Sequence, residues 1–399
     1  MKGKYLRHPM QTAKAAKAAL MLRFSVWKFA RHGKRRFRGD PRYDLQNVTG
    51  GFRPRLIDSK DDAILKRISA AYCAAARQQE SAPLPYTATE RRQRLRQGSL
   101  APFIAALLAQ DVDALGRMYR NFYRDACSTG IVGLPSGISK AYFGGTIKDM
   151  YRHFYLSHVL YRLDYWKSQT NGRFTVQELR GPGVGNPFGL VIDGTHICVG
   201  SEYAHYCAQR VAGDLETGSA TIAEIGGGFG GMAYYLLRDR QNTTYIDFDA
   251  PESVALASYY LMKAFPTLRF FLYGEGTLTQ DAIAQADVVM LPTFALATMP
   301  AASADLTFTS YGMAELSSAA MVEYLKEICR ITRKGLLLIG NQRVAEMVSE
   351  TIRTDHDPFK LTNTYLSGWH SHKVSGAGVG GAAGRAASTA FEQSYSRGG

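Results

Sequence analysis

Eight residues near the middle of the chain, Glu224-Ile225-Gly226-Gly227-Gly228-Phe229-Gly230-Gly231, restrict what it can fold into more than any other segment. Glycines at this density are costly inside a helix or a strand. Before them stands a short apolar run, residues 221–225. After them residues 230–238 repeat apolar side chains at helical spacing. A strand that turns through glycines into a helix opens a parallel βαβ unit. The pattern then alternates. Residues 244–247, 269–273, 287–291, 306–309 and 335–339 read as strands, and 252–264 and 319–331 as helices. That alternation predicts an α/β, Rossmann-like domain over residues 215–374.

The loop also predicts chemistry. Glycines let backbone approach a ligand closely, and the helix start offers free amides. Gly226, Gly228 and Gly231 satisfy the dinucleotide spacing G-x-G-x-x-G, so the glycines alone admit a nicotinamide or flavin cofactor. Glu224 argues against that. A carboxylate two residues before the first glycine repels a pyrophosphate and attracts a cationic cofactor. S-adenosylmethionine, with its ammonium and sulfonium, is the predicted ligand. Its binding set is Glu224, Gly226, Gly228, Gly230 and an acid from Asp247-Phe248-Asp249. Phe294, after the strand at 287–291, is the candidate adenine wall; the alternative is a core side chain.

The glycine loop resembles that of the bacterial sugar O-methyltransferases. So do Asp249-Ala250-Pro251-Glu252, Ala255-Leu256-Ala257-Ser258-Tyr259-Tyr260-Leu261 and Gly185-Asn186-Pro187-Phe188-Gly189. The likeness covers roughly residues 140–345. It implies a class I methyltransferase fold, a saccharide hydroxyl as acceptor and a place in polysaccharide or glycolipid assembly. It also implies that Asp249 is the ribose acid and that Asp247 points elsewhere. The segment Thr309-Ser310-Tyr311-Gly312-Met313-Ala314-Glu315-Leu316 keeps the family's acid at Glu315 but departs from its polar residues at Thr309 and Gly312. The departure bears on the acceptor more than on the cofactor.

Methylating a hydroxyl calls for a base to take its proton. Histidine titrates near working pH. His205, on a helix predicted over 202–215, and His370, in Trp369-His370-Ser371-His372, are the leading candidates, with Glu315 as the alternative. Each histidine can equally be structural. Two histidines at 370 and 372 do not make a metal site, and no metal is predicted.

The net charge of +14 is unevenly placed. Residues 1–40 hold twelve Lys and Arg against Asp40 alone, leaving +3 for the rest. A folded nucleic-acid-binding face would carry its own charge, so nucleic acid is not a predicted partner. The basic arm, 1–40, reads either as a solvated terminus or as a helix on an anionic membrane, with Leu22, Val26 and Phe29 as its apolar side. Nothing in it resembles a secretory signal, and no run of apolar residues is long enough to span a bilayer. Five scattered cysteines fit a reducing, cytoplasmic setting.

Residues 41–214 form the mainly helical region preceding the sheet, with 41–55 as a linker. Helices are predicted at 61–79, 100–108 and 112–123. Tyr151, Tyr155, His158, Arg162 and Tyr165 share one helix face, which suits either substrate contact or helix packing. Residues 181–189 are a loop, and 190–199 a hairpin turning at Asp193-Gly194. The Gly/Ala/Ser-rich tail, 375–399, is predicted to be disordered. Three other functions remain open: a methyltransferase for a lipid or other small molecule, an NAD-dependent oxidoreductase, and a glycan-binding scaffold without turnover.

Overall fold

The computed structural model describes residues 9–51, 56, 61–132, 149–187, 189–198, 200–354, 359–370 and 389–398. The first part is helical: α1 (Pro9–Arg36), α2 (Leu45–Gly51), α3 (Asp62–Gln79), α4 (Glu90–Gln97), α5 (Ala101–Leu108), α6 (Val112–Tyr119) and α7 (Asp149–Gln169). A hairpin follows, β1 (Gly189–Ile192) and β2 (Thr195–Cys198), then α8 (Ser201–Gly213). Asp193 and Gly194 both take positive φ, as a two-residue hairpin turn requires.

Strand and helix then alternate. In order come β3 (Ala220–Ile225), α9 (Gly231–Asp239), β4 (Thr243–Asp249), α10 (Pro251–Ala264), β5 (Phe270–Leu272), α11 (Gln280–Gln285) and β6 (Val288–Pro292). The second half holds β7 (Ala304–Ser310), α12 (Ser318–Ile331), β8 (Thr332–Asn341), α13 (Gln342–Thr354), β9 (Phe359–Ser367) and β10 (Ala390–Arg397). The eight-stranded sheet has the order β5-β6-β4-β3-β7-β8-β10-β9. Pairing is parallel from β5 to β8, and β10 lies antiparallel between β8 and β9. From β3 the chain first builds outward one way through β4 and then, after β6, the other way through β7. The switch point therefore lies between β3 and β7, where a doubly wound sheet opens its ligand crevice.

Both faces of the sheet are buried along its central strands β3, β4, β6 and β7, whereas the edge strand β9 is largely exposed. Ile222, Tyr245 and Phe308 face a core shared with α1, α3 and α7 to α10. Ala223, Ile225, Ile246 and Phe248 face a second core with α12 and α13. The helical region and the sheet are thus packed through one continuous apolar interior.

Three expectations from sequence change. Residues 390–397 are not a disordered tail but an internal strand, with Ala390, Glu392 and Tyr395 buried. Their glycine-rich approach hid a stretch that pairs on both sides; residues 371–388 lie outside the described set. The basic arm is a helix whose second half is core, since Val26, Phe29, Ala30 and Phe37 are buried against α7. The linker contains α2, anchored by buried Val48. On α7 packing outweighs display: Tyr155 and His158 are buried, and burial pushes His158 down to about 3.

Candidate functional site

The site follows from the two-residue period of a strand. Ile222 faces the first core, so Glu224 faces the same way. Glu224 pairs in register with Asp247 on β4. Tyr245 and Asp249 lie two residues on either side of Asp247 and share its face. Three acids therefore meet beneath and beside the glycine loop. Tyr245 donates its hydroxyl to Glu224 Oε2 at 2.6 Å. The Gly227 N–H donates to Asp247 Oδ1 at 3.1 Å and the Gly228 N–H to Asp249 Oδ2 at 2.9 Å. The Ala250 N–H donates to Asp249 Oδ1 at 2.6 Å. Asp247, expected to point elsewhere, supports the same loop one residue before Asp249 does.

Glycine is needed here for space. At Gly226 (φ +84°) an added Cβ would stand 2.5 Å from Gly312 Cα. The loops after β3 and β7 thus close backbone to backbone at the switch point, and Thr309 Oγ1 ties them by donating to the Ile225 carbonyl at 2.9 Å. Gly312, a departure from the family pattern, is explained by this approach. Tyr311 beside it has φ +60°, a strained state for a non-glycine residue. At Gly228 (φ +65°) there is more room: among the described residues, the atom nearest to an added Cβ is the Ile131 carbonyl oxygen at 3.8 Å. Gly230 precedes α9 and leaves room for Leu261.

Burial raises all three carboxyls. Glu224 is pushed up to about 7, the Tyr245 hydrogen bond pulling the other way. Asp247 lies well above the usual carboxylate range through burial and then the charges of Asp249 and Glu224. Asp249, half-buried, is raised by burial and held back by the positive charge of Arg92.

Arg92 belongs to α4, which sequence reading passed over. Thr89 caps this helix by accepting from the Arg92 N–H. The Arg92 guanidinium donates to Glu252 Oε1 at 2.7 Å and to Ser253 Oγ at 2.6 Å, and Arg96 reaches Glu252 Oε2 at 3.2 Å. The Glu252 side chain is fully buried. Arg91 pairs with Glu315, which also accepts from Thr89 Oγ1 at 3.2 Å. Helix α4 therefore straps the start of α10 to the loop after β7, across the crevice mouth. Four arginines in eight residues were the visible signal, but nothing local tied them to Glu252.

The structure sorts the remaining candidates. His205 is fully buried, with its Nδ1 accepting from Trp166 Nε1 at 3.2 Å. Trp166, Phe174 and Tyr235 wall it in, and burial lowers it to about 4. A base sealed among aromatic rings cannot meet an incoming hydroxyl, so the geometry does not support His205 in that role. His370 ends the turn Gly368–His370, and its side chain lies outside the described residues, as does His372. Glu315 stands exposed at the crevice rim. Phe294 is buried edge-on to Tyr273 in the second core, just past Pro292, the register partner of Asp249. Asn186 and Gly185 of the family-like segment act structurally. Asn186 donates to Asn121 at 2.8 Å, and Gly185 makes room for Phe122. Among the described residues no group of three His, Cys, Asp or Glu is placed to hold a metal ion.

No protein-family model matches the chain. No curated protein matches it either. Among solved structures it is similar to magnesium protoporphyrin IX methyltransferase from Synechocystis with bound S-adenosylmethionine, at 10% identity and a TM-score of 0.34 over 49% of this chain and 79% of that one. It is similar to a tRNA methyltransferase from B. subtilis at 14% identity and a TM-score of 0.31, covering 48% and 65%. It is similar to a predicted O-methyltransferase from Agrobacterium tumefaciens at 11% identity and a TM-score of 0.30, covering 49% and 81%. Strand order, the switch point and the glycine loop make the fold a doubly wound, Rossmann-like α/β fold.

Proposed function

We propose that this chain is an S-adenosylmethionine-dependent methyltransferase acting on a hydroxyl of a sugar or glycan. One observation carries the cofactor: the Gly227 and Gly228 amides, which a dinucleotide pyrophosphate would need, are already held by Asp247 and Asp249. A pyrophosphate would find both amides already taken, and Asp249, held toward its ionised form by Arg92, favours a cation over an anion there. The residues fit the cofactor. Each Asp249 oxygen takes one amide and keeps acceptor capacity for a ribose hydroxyl. Gly228 keeps its side of the cradle free of a side chain of its own. Glu224, behind the loop, contributes negative field rather than contact, because it is buried.

When bound, S-adenosylmethionine supplies an electrophilic methyl group. The protein aligns the attacking hydroxyl and excludes water. Helix α4 covers the crevice. Glu315 is the proposed proton acceptor, released from Arg91 as the acceptor enters. Phe294 is the proposed apolar backing at the adenine end. The sugar acceptor rests on the sequence resemblance. Nucleic acid, set aside above on charge distribution, stays among the acceptors to be assayed.

Calorimetry tests the cofactor: S-adenosylmethionine binds and NAD⁺ does not. Release of S-adenosylhomocysteine is then followed with sugar nucleotides, glycans, a lipid and RNA. Turnover with RNA or lipid alone overturns the sugar reading. NAD⁺ binding without S-adenosylmethionine binding overturns both.

A further inference from the structure

Helix α1 has two apolar faces, and packing uses one. Val26, Phe29, Ala30, Gly33 and Phe37 point inward, and Gly33 lets α1 lie directly on Ser157 of α7. Leu20, Met21, Phe24 and Trp27 point outward and are 70, 61, 61 and 43% exposed. Among the described residues they are four of the ten large apolar side chains left in water. The other six are dispersed through the sequence, as ordinary surface residues are.

Three of the four form a stripe. Leu20, Phe24 and Trp27 follow helical spacing, and the rings of Phe24 and Trp27 stack at 5.7 Å. Arg31 continues the stripe, with its guanidinium 5.3 Å from the Trp27 ring. Lys17, Lys28 and Arg35 flank the stripe on one side, and Arg23 and Lys34 on the other. The helix carries eight Lys or Arg and no acid. Sequence periodicity put the membrane-facing side on Leu22, Val26 and Phe29. The structure turns Val26 and Phe29 to the core and leaves this second stripe outside.

We propose that α1 docks the protein on an anionic lipid surface. Leu20, Phe24 and Trp27 enter the headgroup boundary, and the flanking bases meet the lipid phosphates. A protein partner could cover an apolar stripe, but a stripe edged on both sides by cations and free of acids complements a uniformly negative interface. Arginine and lysine can keep their charges at headgroup level while their stems lie along the apolar layer.

Co-sedimentation of the full chain with phosphatidylglycerol-containing vesicles, with phosphatidylcholine alone as reference, tests this without cofactor or acceptor. The full chain should partition to the anionic vesicles. Leu20→Ser/Phe24→Ser/Trp27→Ser should lower that partition about tenfold or more. Lys17→Glu/Lys28→Glu/Arg31→Glu should lower it similarly, and added salt should weaken the binding of the full chain. These side chains are exposed, so both variants should keep the parent melting temperature, which checks folding. Absence of vesicle binding overturns the proposal, as does equal binding by the apolar variant. So does a stable dimer in sedimentation velocity that the apolar variant dissolves, because a second copy would then own the stripe. Binding to RNA in place of vesicles overturns it as well.

Discussion

The backbone N–H of Gly228 donates to Asp249 Oδ2 at 2.9 Å, tying the glycine loop to the neighbouring strand. The same carboxylate takes the Ala250 N–H. Asp249→Ala removes both acceptors and the proposed ribose contacts. The Kd for S-adenosylmethionine should rise about 10- to 100-fold, as expected for losing charged hydrogen bonds. Calorimetry reads it, and an unchanged Kd returns the ribose role to Asp247. Gly228→Val should weaken binding too, because a β-branched residue strains at φ +65° and puts a branched side chain into the cradle.

Glu224 gives cofactor binding a pH dependence. Its carboxyl is pushed up to about 7 by burial, so the fraction ionised grows between pH 6 and 8. A cationic ligand favours the ionised form, and affinity should therefore increase with pH across that window. Glu224→Gln should flatten the dependence. Equal slopes in parent and variant would mean that Glu224 does not sense the ligand.

His205 should matter for stability and not as the base. Its folded value, about 4, lies below its ordinary 6.5, so the native state binds fewer protons than the unfolded one. The stabilising contribution is complete above pH 6.5 and is lost as pH falls toward 4, at up to about 1.4 kcal/mol per pH unit. Denaturant unfolding of His205→Phe should show a shallower acid limb than the parent. Abolished turnover in a variant that folds normally would restore His205 to the mechanism.

Arg92 holds a carboxylate that is fully buried. In Arg92→Ala, Glu252 keeps only Arg96 among the described cations, and the loss should be about 1–3 kcal/mol, read as a lower melting temperature. Arg92→Ala/Glu252→Gln should recover part of it, since the uncompensated charge is then gone. If the two substitutions are additive, the pair is not coupled.

Deleting residues 1–40 should unfold or aggregate the chain rather than simply detach it from lipid. Val26, Phe29 and Phe37 are core side chains, each contributing about 1.5–3 kcal/mol of burial. Expression and thermal melting of the deletion check this.

The residues themselves determined the fold class and where the candidate site is to be sought. A glycine loop between strand and helix has few conformations open to it, and alternation of apolar strands with amphipathic helices admits little besides a parallel sheet. Strand periodicity also fixed that Glu224 and Asp249 could lie near the loop. Tertiary structure decided what depends on contacts between distant segments. It brought Arg92 to Glu252 across 160 residues, turned His205 into an aromatic core, and drew residues 390–397 between β8 and β9. It also chose which of two apolar stripes on α1 would meet α7. Local periodicity reports that a face is apolar, whereas the choice of face to bury depends on what the rest of the chain sets against it.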